Sequence, residues 1–204
     1  MFEKQVNKWI YYYPESKQDV AWDIGAHHGY YTKMLAKKFG KVFAFEPDPA
    51  NLVQLRKETF SLDNVVIIPL AVSDIDGLCI LYEGDNDTGH SMLHAGFGKK
   101  GYWVPSTTIN NFLYPDRYPR FIKMDIEGME KFAWEHADLL LKLRPLTIIL
   151  ETHGTKDEMG WKNGNDDSLK GLWEEFIKYG FMITDAKGGV EEFKPNEHYL
   201  LRKL

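Results

Sequence analysis

The sequence predicts an α/β protein built on a mostly parallel sheet that is flanked by helices. Short runs rich in β-branched and aromatic residues alternate along the chain with segments whose apolar residues recur at helical spacing. Glycines and polar residues follow several of these runs, at the strand ends where a parallel sheet binds ligands. The chain has 204 residues, 44% of them hydrophobic, and no internal repeat, so we expect one domain with a substantial core.

Runs rich in β-branched and aromatic residues mark the strands. In chain order they are predicted at Val20–Ile24, Lys41–Glu46, Asn64–Val72, Phe121–Ile126 and Leu146–Leu150, with Phe181–Thr184 and His198–Arg202 as closing strands. Because helical segments separate the first five, we expect those strands to pair in parallel.

Helices are predicted between the strands of the first half. The first helix follows Gly29 and is expected to end at Gly40. Its apolar face is predicted to contain Tyr31, Met34, Leu35 and Phe39. The second helix has Asp48 as its capping residue and Pro49 as its first residue, and it extends to about Phe60.

Two further helices are predicted in the second half of the chain. After the fourth strand, the residues expected on the buried face are Met129, Phe132, Ala133, His136 and Leu140. After Ser168, the residues expected on the buried face are Leu169, Leu172, Trp173 and Phe176. Gly180 is placed to end this last helix.

The stretch between the third and fourth strands departs from this regularity. Leu78–Glu83 is expected to form the edge strand of a hairpin, whereas Gly84–Arg120 has no period and is far longer than a usual connection. We therefore expect residues 77–120 to form an insertion or lid within the domain, with a partly ordered excursion as the alternative. Residues 1–19 are expected to be an N-terminal extension of the same single domain, 1–204.

Composition limits the partners and the compartment. Lys and Arg number 25 against 30 Asp and Glu, and this net charge of -5 provides no overall positive field for nucleic acid. Cys79 is the only cysteine, which excludes an internal disulfide and fits a reducing compartment. The N-terminal sequence lacks the apolar core of a signal peptide, and no apolar run approaches the ~18 residues of a membrane span. We expect a soluble, cytoplasmic protein that binds neither nucleic acid nor membranes.

A glycine-containing turn, DIGAHHG at residues 23–29, follows the first strand. Gly25 and Gly29 allow the backbone to pass close to a ligand, and the helix that follows begins with free N–H groups. Their G-x-x-x-G spacing lacks the third glycine of a pyrophosphate-binding turn, so S-adenosylmethionine, which is cationic and has no phosphate, fits better. The candidate cofactor-binding residues of the turn are Asp23, Gly25, Ala26, His27 and Gly29. A plain strand–turn–helix connection is the alternative.

The next two strand ends offer contacts for an adenosine group. Glu46 lies 21 positions after Gly25, where a carboxylate can accept both hydroxyls of a ribose. The same contact would serve the ribose of NAD equally. The alternative is that Glu46 is only a solvated glutamate with no ligand contact. At the third strand end, Val72 and Ser73 are candidates to flank an adenine ring, with Asp74 near its amino group; a simple turn is the alternative.

Five motifs occur in order along residues 20–154: DIGAHHGYYT, FAFEPDP, PLAVSD, FIKMDIEGMEKFA and ILETHG. In this order and at these spacings, the chain resembles the FkbM family of S-adenosylmethionine-dependent methyltransferases. Residues 123–130, KMDIEGME, are similar to the family's signature Lys-x-Asp-x-Glu-Gly-x-Glu. The resemblance implies a Rossmann-like class I methyltransferase fold and, commonly, O-methylation of sugars or natural products. The chain departs from the family at His27 and His28, where Asn-Ile is usual.

Candidate catalytic residues follow the fourth and fifth strands. Methyl transfer to an alcohol requires the hydroxyl oxygen near the methyl carbon and a group that shares or removes its proton. Asp125 is the leading candidate, and it is also expected to contact the cofactor beside the sulfonium. His153 is the rival base because its ordinary pKa of ~6.5 suits proton abstraction near neutrality. Glu127 is a third catalytic candidate, and Lys123 and Glu127 would share the face of Asp125 if the strand continued. The alternative for Lys123 is an ion pair with a carboxylate, and this interpretation is the preferred one for Lys123 and Glu130. The alternative for Glu127 is an acid that is favourable at a helix start without any catalytic role.

Several wider possibilities remain open. Asp125, Glu151 and His153 could hold Mg²⁺ or Mn²⁺, but they lack a local ligand signature and we expect no required metal. His90, Ser91 and His94 in the long segment are further candidates to meet the acceptor, with solvent exposure as the alternative. The favoured function is O-methylation of a small hydroxylated acceptor, a saccharide or glycosylated metabolite, with S-adenosylmethionine as cofactor. The alternatives are an NAD-dependent oxidoreductase and a non-catalytic nucleoside-binding interaction protein.

Overall fold

Helices and strands alternate through most of the described chain. The computed structural model describes residues 2–82, 100–153, 156–157, 160–161, 167–185, 187–190, 192–194 and 197–204. The helices are α1 (Phe2–Tyr12), α2 (Tyr30–Ala36), α3 (Pro49–Thr59), α4 (Ile109–Phe112), α5 (Glu130–Glu135) and α6 (Asp167–Lys178). The strands are β1 (Ser16–Ile24), β2 (Phe39–Phe45), β3 (Val65–Ile68), β4 (Ala71–Val72), β5 (Gly77–Tyr82), β6 (Gly101–Thr107), β7 (Pro119–Met124), β8 (Leu146–Thr152), β9 (Lys156–Asp157), β10 (Gly160–Trp161), β11 (Met182–Thr184) and β12 (Glu197–Lys203). Short 3₁₀ turns cover Pro115–Arg117 and Leu140–Lys142.

A seven-stranded sheet, in the order β11-β12-β8-β7-β1-β2-β3, forms the centre of the fold. Neighbouring strands from β8 to β3 are parallel, and β12 is antiparallel to both of its neighbours. The predicted α/β fold with a mostly parallel sheet is therefore confirmed. Among the described residues, no helix has the length and apolar character that crossing a bilayer requires.

The third predicted strand, Asn64–Val72, is divided between two sheets. β3 joins the central sheet beside β2, whereas β4 pairs with β6 in a separate sheet of order β4-β6-β5. Pro69 lies between the two strands and has no N–H to donate to a ladder, which explains why one continuous strand does not form. The prediction of a single strand was wrong at this point.

Gly40 does not end a helix, contrary to prediction. α2 ends at Ala36, and Phe39 opens β2 instead of continuing the apolar face of the helix. A Cβ on Gly40 would lie 1.9 Å from the carbonyl oxygen of Lys17. The glycine is therefore required because β1 and β2 approach each other closely here, and its helix-ending propensity has no role.

The predicted start of α3 is confirmed, but α5 is shorter than expected. Asp48 caps α3 by accepting a hydrogen bond from the backbone N–H of Asn51 at 2.8 Å, with Pro49 at the first helical position. α5 ends before His136, which is exposed, and the carbonyl oxygen of His136 accepts a hydrogen bond from Asn110 N in α4. Trp134 is buried on α5 instead.

Apolar clusters cover both faces of the central sheet. Trp22 and Ile24 of β1 point into the larger cluster, which includes Trp134 and Phe176, whereas Ala21 belongs to the opposite cluster. α1 contributes fully buried Val6 and Ile10 to that second cluster. Residues 1–19 therefore contain a core helix that sequence reasoning did not predict.

Part of the predicted insertion is regular structure. β5 confirms the predicted edge strand and pairs in antiparallel fashion with β6, and α4 follows β6. The region expected to be aperiodic, Gly84–Arg120, therefore contains a strand and a short helix. His90, Ser91 and His94 lie outside the described residues.

Candidate functional site

A cavity of about 430 Å³ lies at the carboxyl ends of β1, β2 and β7. Its lining consists of Ile24, Gly25, Ala26, His27, Tyr30, Tyr31, Phe45, Glu46, Pro47, Asn51, Leu70, Ala71, Val72, Leu81, Lys123, Asp125, Ile126 and Glu127. The strand-end motifs that were separate in sequence thus meet at one site, where open parallel sheets bind ligands.

Most of the predicted site residues line this cavity. Those that do are Gly25, Ala26, His27, Glu46, Val72, Asp125 and Glu127. Those that are absent from the lining are Asp23, Gly29, Ser73 and His153. The second group lies behind or beside the cavity wall, and each member has other contacts.

Gly25 brings the glycine turn against the end of β7. Its φ is 79°, and an added Cβ would lie 1.8 Å from the carbonyl oxygen of Asp125. The backbone N–H groups of Gly25 and Ala26 both donate to the carbonyl oxygen of Phe45, at 3.1 and 2.9 Å. These contacts require glycine and hold the turn between the ends of β2 and β7.

His27 has a left-handed backbone, with φ of 48°. Its ring stacks on that of His28 with centroids 3.7 Å apart, and its backbone N–H donates to Oε2 of Glu46 at 2.8 Å. Asn, Asp and His are the residues other than glycine that most often adopt this conformation. A histidine at this position is therefore compatible with the left-handed backbone of the turn.

Glu46 is held rigidly on the cavity wall. Its Oε1 accepts hydrogen bonds from Asp48 N at 3.0 Å and from Asn51 Nδ2 at 3.4 Å, while Oε2 accepts from His27 N. Burial raises the pKa of Glu46, and these hydrogen bonds oppose the shift by favouring the carboxylate. The side chain is 5% exposed, so its remaining acceptor capacity faces the cavity that it lines.

Asp23 and Ser73 have structural contacts in place of cavity contacts. Asp23 is fully buried and accepts a hydrogen bond from Thr32 Oγ1 at 2.5 Å, which ties α2 to β1. Burial raises the pKa of Asp23, with the charge of Lys123 opposing the shift. The hydroxyl of Ser73 donates to the carbonyl of Ile75 and accepts from its N–H. Direct cofactor contact by Asp23 or Ser73 therefore has no support from the cavity geometry.

Lys123, which is buried, forms an ion pair at the cavity with Asp125, whose side chain is 27% exposed. Lys123 Nζ lies 3.3 Å from Asp125 Oδ2 and donates to the carbonyl oxygen of Gly25 at 3.4 Å. Burial disfavours the ammonium, but the carboxylates of Asp125 and Asp23 outweigh it and raise the pKa of Lys123. Burial likewise opposes the Asp125 carboxylate, but Lys123 holds its pKa below the usual value. Both groups are therefore charged near neutrality.

Glu127 reaches the cavity from a turn, because β7 ends at Met124. The strand alternation expected to align Lys123 with Glu127 stops before Glu127, whose φ is 54°. Both side chains nevertheless line the cavity. Burial raises the pKa of Glu127 to about 7, with His153 opposing the shift. A carboxyl group with this pKa can both hold and release a proton near neutrality.

His153 lies behind Glu127 among several carboxylates. Its Nδ1 is 2.9 Å from Glu130 Oε1, and its Nε2 is 3.7 Å from Glu127 Oε2 and 3.6 Å from Glu151 Oε1. Burial disfavours the imidazolium, but the hydrogen bond to Glu130 and the surrounding negative charges raise the pKa of His153 to about 10. A protonated imidazolium has no lone pair for a proton, so the base role expected for His153 conflicts with its surroundings.

Among the described residues, one set of side chains that includes His153 has ligand atoms close enough together to hold a metal ion. Single ligand atoms of Asp125, Glu130 and His153 lie within 4.8 Å of one another, with Glu130 in the place that the sequence suggested for Glu151. Glu151 instead pairs with His198, whose Nε2 is 2.8 Å from Oε2. Because Glu130 and His153 already share a hydrogen bond, a cation would have to displace it, and we assign no metal here.

Sequence reasoning missed several lining residues. Tyr30 and Tyr31 open α2 at the cavity, and Lys123 Nζ lies 5.0 Å from the Tyr31 ring centroid, within cation–π range. Leu81 reaches the cavity from β5 of the second sheet. The tyrosines could have been found from their position directly after the glycine turn, but no sequence signal places β5 against the cofactor side of the sheet.

Comparisons with known proteins identify the family of this chain and several similar folds. The family model described as the methyltransferase FkbM domain matches residues 23–183. Among solved structures, the chain is similar to methyltransferase FkbM of Methylobacillus flagellatus KT, at 16% identity and a TM-score of 0.59, covering 94% of this chain and 45% of that one. The chain thus spans less than half the length of that relative.

Two further similar structures have lengths close to that of this chain. SMU.1697c of Streptococcus mutans, solved in complex with SAH, has 13% identity and a TM-score of 0.58, with 100% of this chain and 98% of that chain covered. An rRNA methylase of Streptococcus thermophilus has 11% identity and a TM-score of 0.55, with 98% and 93% covered. A search of curated proteins found no significant match.

Proposed function

This chain belongs to the FkbM methyltransferase family, and we propose that it transfers a methyl group to a hydroxyl oxygen of a small acceptor, a saccharide or glycosylated metabolite. It is a methyltransferase with S-adenosylmethionine as its cofactor. The observation that carries the proposed chemistry is the pair of carboxylates, Asp125 and Glu127, on the wall shared with the glycine turn. The SAH seen with the Streptococcus mutans neighbour supports the same cofactor class here.

The cofactor is proposed to lie across the ends of β1, β2 and β7. Glu46 would accept the ribose hydroxyls, and Val72 would pack against the adenine face. The turn of Gly25, Ala26 and His27 would pass along the methionyl group, with Gly29 opening α2 behind it. Asp23 would support this turn through Thr32, and Ser73 would support the adenine side through its own turn.

Methyl transfer is an in-line displacement at the methyl carbon. The hydroxyl oxygen would form the new C–O bond with its lone pair as the C–S bond breaks, and the electron pair of the C–S bond would remain on sulfur as a neutral thioether. Asp125, already paired with Lys123, would orient the hydroxyl. Glu127 would accept the hydroxyl proton, since its pKa of about 7 suits general base catalysis. His153 would assist by holding Glu127.

The acceptor is proposed to be neutral and not a nucleic acid. The carboxylates of Asp125, Glu127 and Glu46 share the cavity wall with one ammonium, that of Lys123, among the described lining residues. Phosphate groups would be repelled there, and the net charge of -5 offers no general attraction for polyanions. Tyr30 and Tyr31 supply aromatic faces and hydroxyls of the kind that can pack on and hydrogen-bond a sugar ring.

The proposal also covers organisation and location. We propose one methyltransferase domain over residues 1–204, with residues 1–19 as an extension and 77–120 as an insertion that contributes to the acceptor site. Leu81 on the cavity wall supports the last point. The reducing environment indicated by the single Cys79 supports a cytoplasmic location.

The test is transfer of labelled methyl from S-adenosylmethionine to a panel of neutral glycosides. Wild type should label at least one hydroxylated acceptor, and Asp125→Asn should lower kcat by about 10²-fold or more while SAH affinity changes little. The matched control is Asp138→Asn, an exposed aspartate paired with Lys142 away from the lining. Full turnover by Asp125→Asn would remove Asp125 from the mechanism, and stabilisation by NAD but not by SAH would overturn the cofactor.

A further inference from the structure

We propose that Glu130 is a positioning residue for methyl transfer, because it fixes both the turn that carries Glu127 and the ring of His153 behind Glu127. Glu130 is 1% exposed and is absent from the cavity lining, so it acts through other groups. The inference rests on the proposed function, in which Glu127 faces the acceptor hydroxyl.

The first contact of Glu130 is with the backbone on either side of Glu127. Its Oε1 accepts hydrogen bonds from Ile126 N at 3.1 Å and from Gly128 N at 3.3 Å. Between these amides, Glu127 has a φ of 54°, and Gly128 follows with a φ of 105°. A left-handed backbone is unfavourable for a residue with a Cβ, so it persists where surrounding contacts hold it. The carboxylate of Glu130 supplies two of those contacts.

The second contact of Glu130 is with His153. The same Oε1 lies 2.9 Å from Nδ1, which orients the ring so that Nε2 lies 3.7 Å from Glu127 Oε2. The buried carboxylate also keeps the ring positively charged by charge-assisted hydrogen bonding. Glu130 therefore reaches Glu127 by two routes, through the peptide backbone and through the ring.

These contacts differ from those of an ordinary acid at a helix start. Glu130 is the first residue of α5, where an acid can stabilise the helix through its own N-terminal N–H groups. Oε1 instead binds two amides that precede the helix and a ring that follows β8. The ion pair with Lys123 that the sequence suggested for Glu130 is also absent among the described contacts, because Lys123 pairs with Asp125.

The test compares two ligands that differ in charge at the methyl position. SAH is neutral at sulfur, whereas sinefungin has a cationic amine in place of the methyl sulfonium, so their affinity ratio reports the negative charge that faces the methyl group. Calorimetry would give this ratio for wild type, Glu130→Ala, Glu130→Gln, Glu127→Gln and the Glu127→Gln/Glu130→Ala double variant. Glu135→Ala, an exposed glutamate on the same helix, is the matched control.

Wild type should prefer sinefungin, and Glu130→Ala should reduce the preference by about threefold or more, as expected for coupled neighbours. Glu130→Gln retains an acceptor oxygen and serves as the readout if the alanine variant does not fold. In the Glu127→Gln background, loss of Glu130 should change the ratio no further, and Glu135→Ala should leave it unchanged. A merely structural role for Glu130 would lower stability without this dependence on Glu127.

Two results would overturn the inference. One is a sinefungin-to-SAH affinity ratio that stays at the wild-type value in both Glu130 variants. The other is a decrease in this ratio on Glu130→Ala that is equally large in the wild-type and the Glu127→Gln backgrounds. Both leave the proposed function standing, because wild type would still bind SAH. Failure of wild type to bind either ligand would instead overturn the proposed function and this inference together.

Discussion

Single residues around the cavity are placed by left-handed turns more than by strand alternation. Gly25, His27 and Glu127 have φ values of 79°, 48° and 54°, and all three line the cavity. Motif order in the sequence predicted which residues meet at the strand ends. It did not predict how Glu127 reaches the cavity, because a left-handed turn at a glutamate has no local sequence preference.

Removing the Glu46 carboxylate should weaken cofactor binding. Charge-assisted hydrogen bonds to the ribose are worth about 1.5–3 kcal/mol, so Glu46→Ala should lower SAH affinity at least tenfold by calorimetry. The control is Glu58→Ala, which removes a partly exposed carboxylate on α3 that pairs with Lys33 of α2, and this variant should bind SAH normally. A folded Glu46→Ala protein with wild-type affinity would exclude Glu46 from the ribose site.

Gly25→Ala should be much more harmful than alanine at another glycine with positive φ. At Gly25 the added Cβ would meet the carbonyl oxygen of Asp125 at 1.8 Å, whereas at Gly77, with φ of 136°, it meets nothing within 4 Å. The left-handed backbone alone costs about 1–2 kcal/mol at Gly25, and the steric clash adds to it. Chemical denaturation should show the larger loss for Gly25→Ala, and equal losses for the two variants would refute the close approach.

At the scale of elements, hydrophobic periodicity predicted the central strands and most helices, and its failures have physical causes. Gly40 was predicted to end a helix because no local sequence signal shows that β1 contacts it. Pro69 divided a run that otherwise reads as one strand. Contacts between distant segments decided both cases, and a single sequence does not display such contacts.

The N-terminal helix should contribute to stability as part of the core. Ile10 is fully buried with Leu35 and Phe121, so Ile10→Ala should lower the free energy of unfolding by about 2–5 kcal/mol. Lys8→Ala changes an exposed position on the same helix and should have little effect. Urea denaturation would measure the free energy of unfolding of both variants. If Ile10→Ala left the free energy of unfolding almost unchanged, α1 would be a dispensable extension and not part of the core.

At the scale of the whole molecule, the fold gathers several ionisable side chains at the carboxyl ends of β7 and β8. Asp125, Glu127 and Glu130 follow β7, Glu151 lies near the end of β8, and His153 lies among them. The sequence predicted that acids and a histidine would gather there, and it left open whether Asp125 or His153 is the base. Whether a histidine is a base or a cation depends on how many carboxylates surround it, which only the three-dimensional arrangement decides.

This charge arrangement predicts that stability falls as pH rises above neutrality. The folded-state pKa of His153 is raised from 6.5 to about 10, so the native state binds more protons than the unfolded state between these values. Its contribution is complete below about pH 6.5 and is lost as pH approaches 10. Burial also raises the pKa of Glu127 from 4.5 to about 7, which adds a decline of the same sign at lower pH.

Urea denaturation between pH 6.5 and 10 should therefore show a decrease in the free energy of unfolding, on the order of a few kcal/mol for wild type. His153→Gln should be less stable at pH 6.5 and should lose most of the slope, because the residue that releases the proton is gone. His136→Gln, at an exposed histidine, should keep the wild-type slope. If His153→Gln retained the full slope, the imidazolium could not be the charged group that holds Glu127 and Glu130 together at neutral pH.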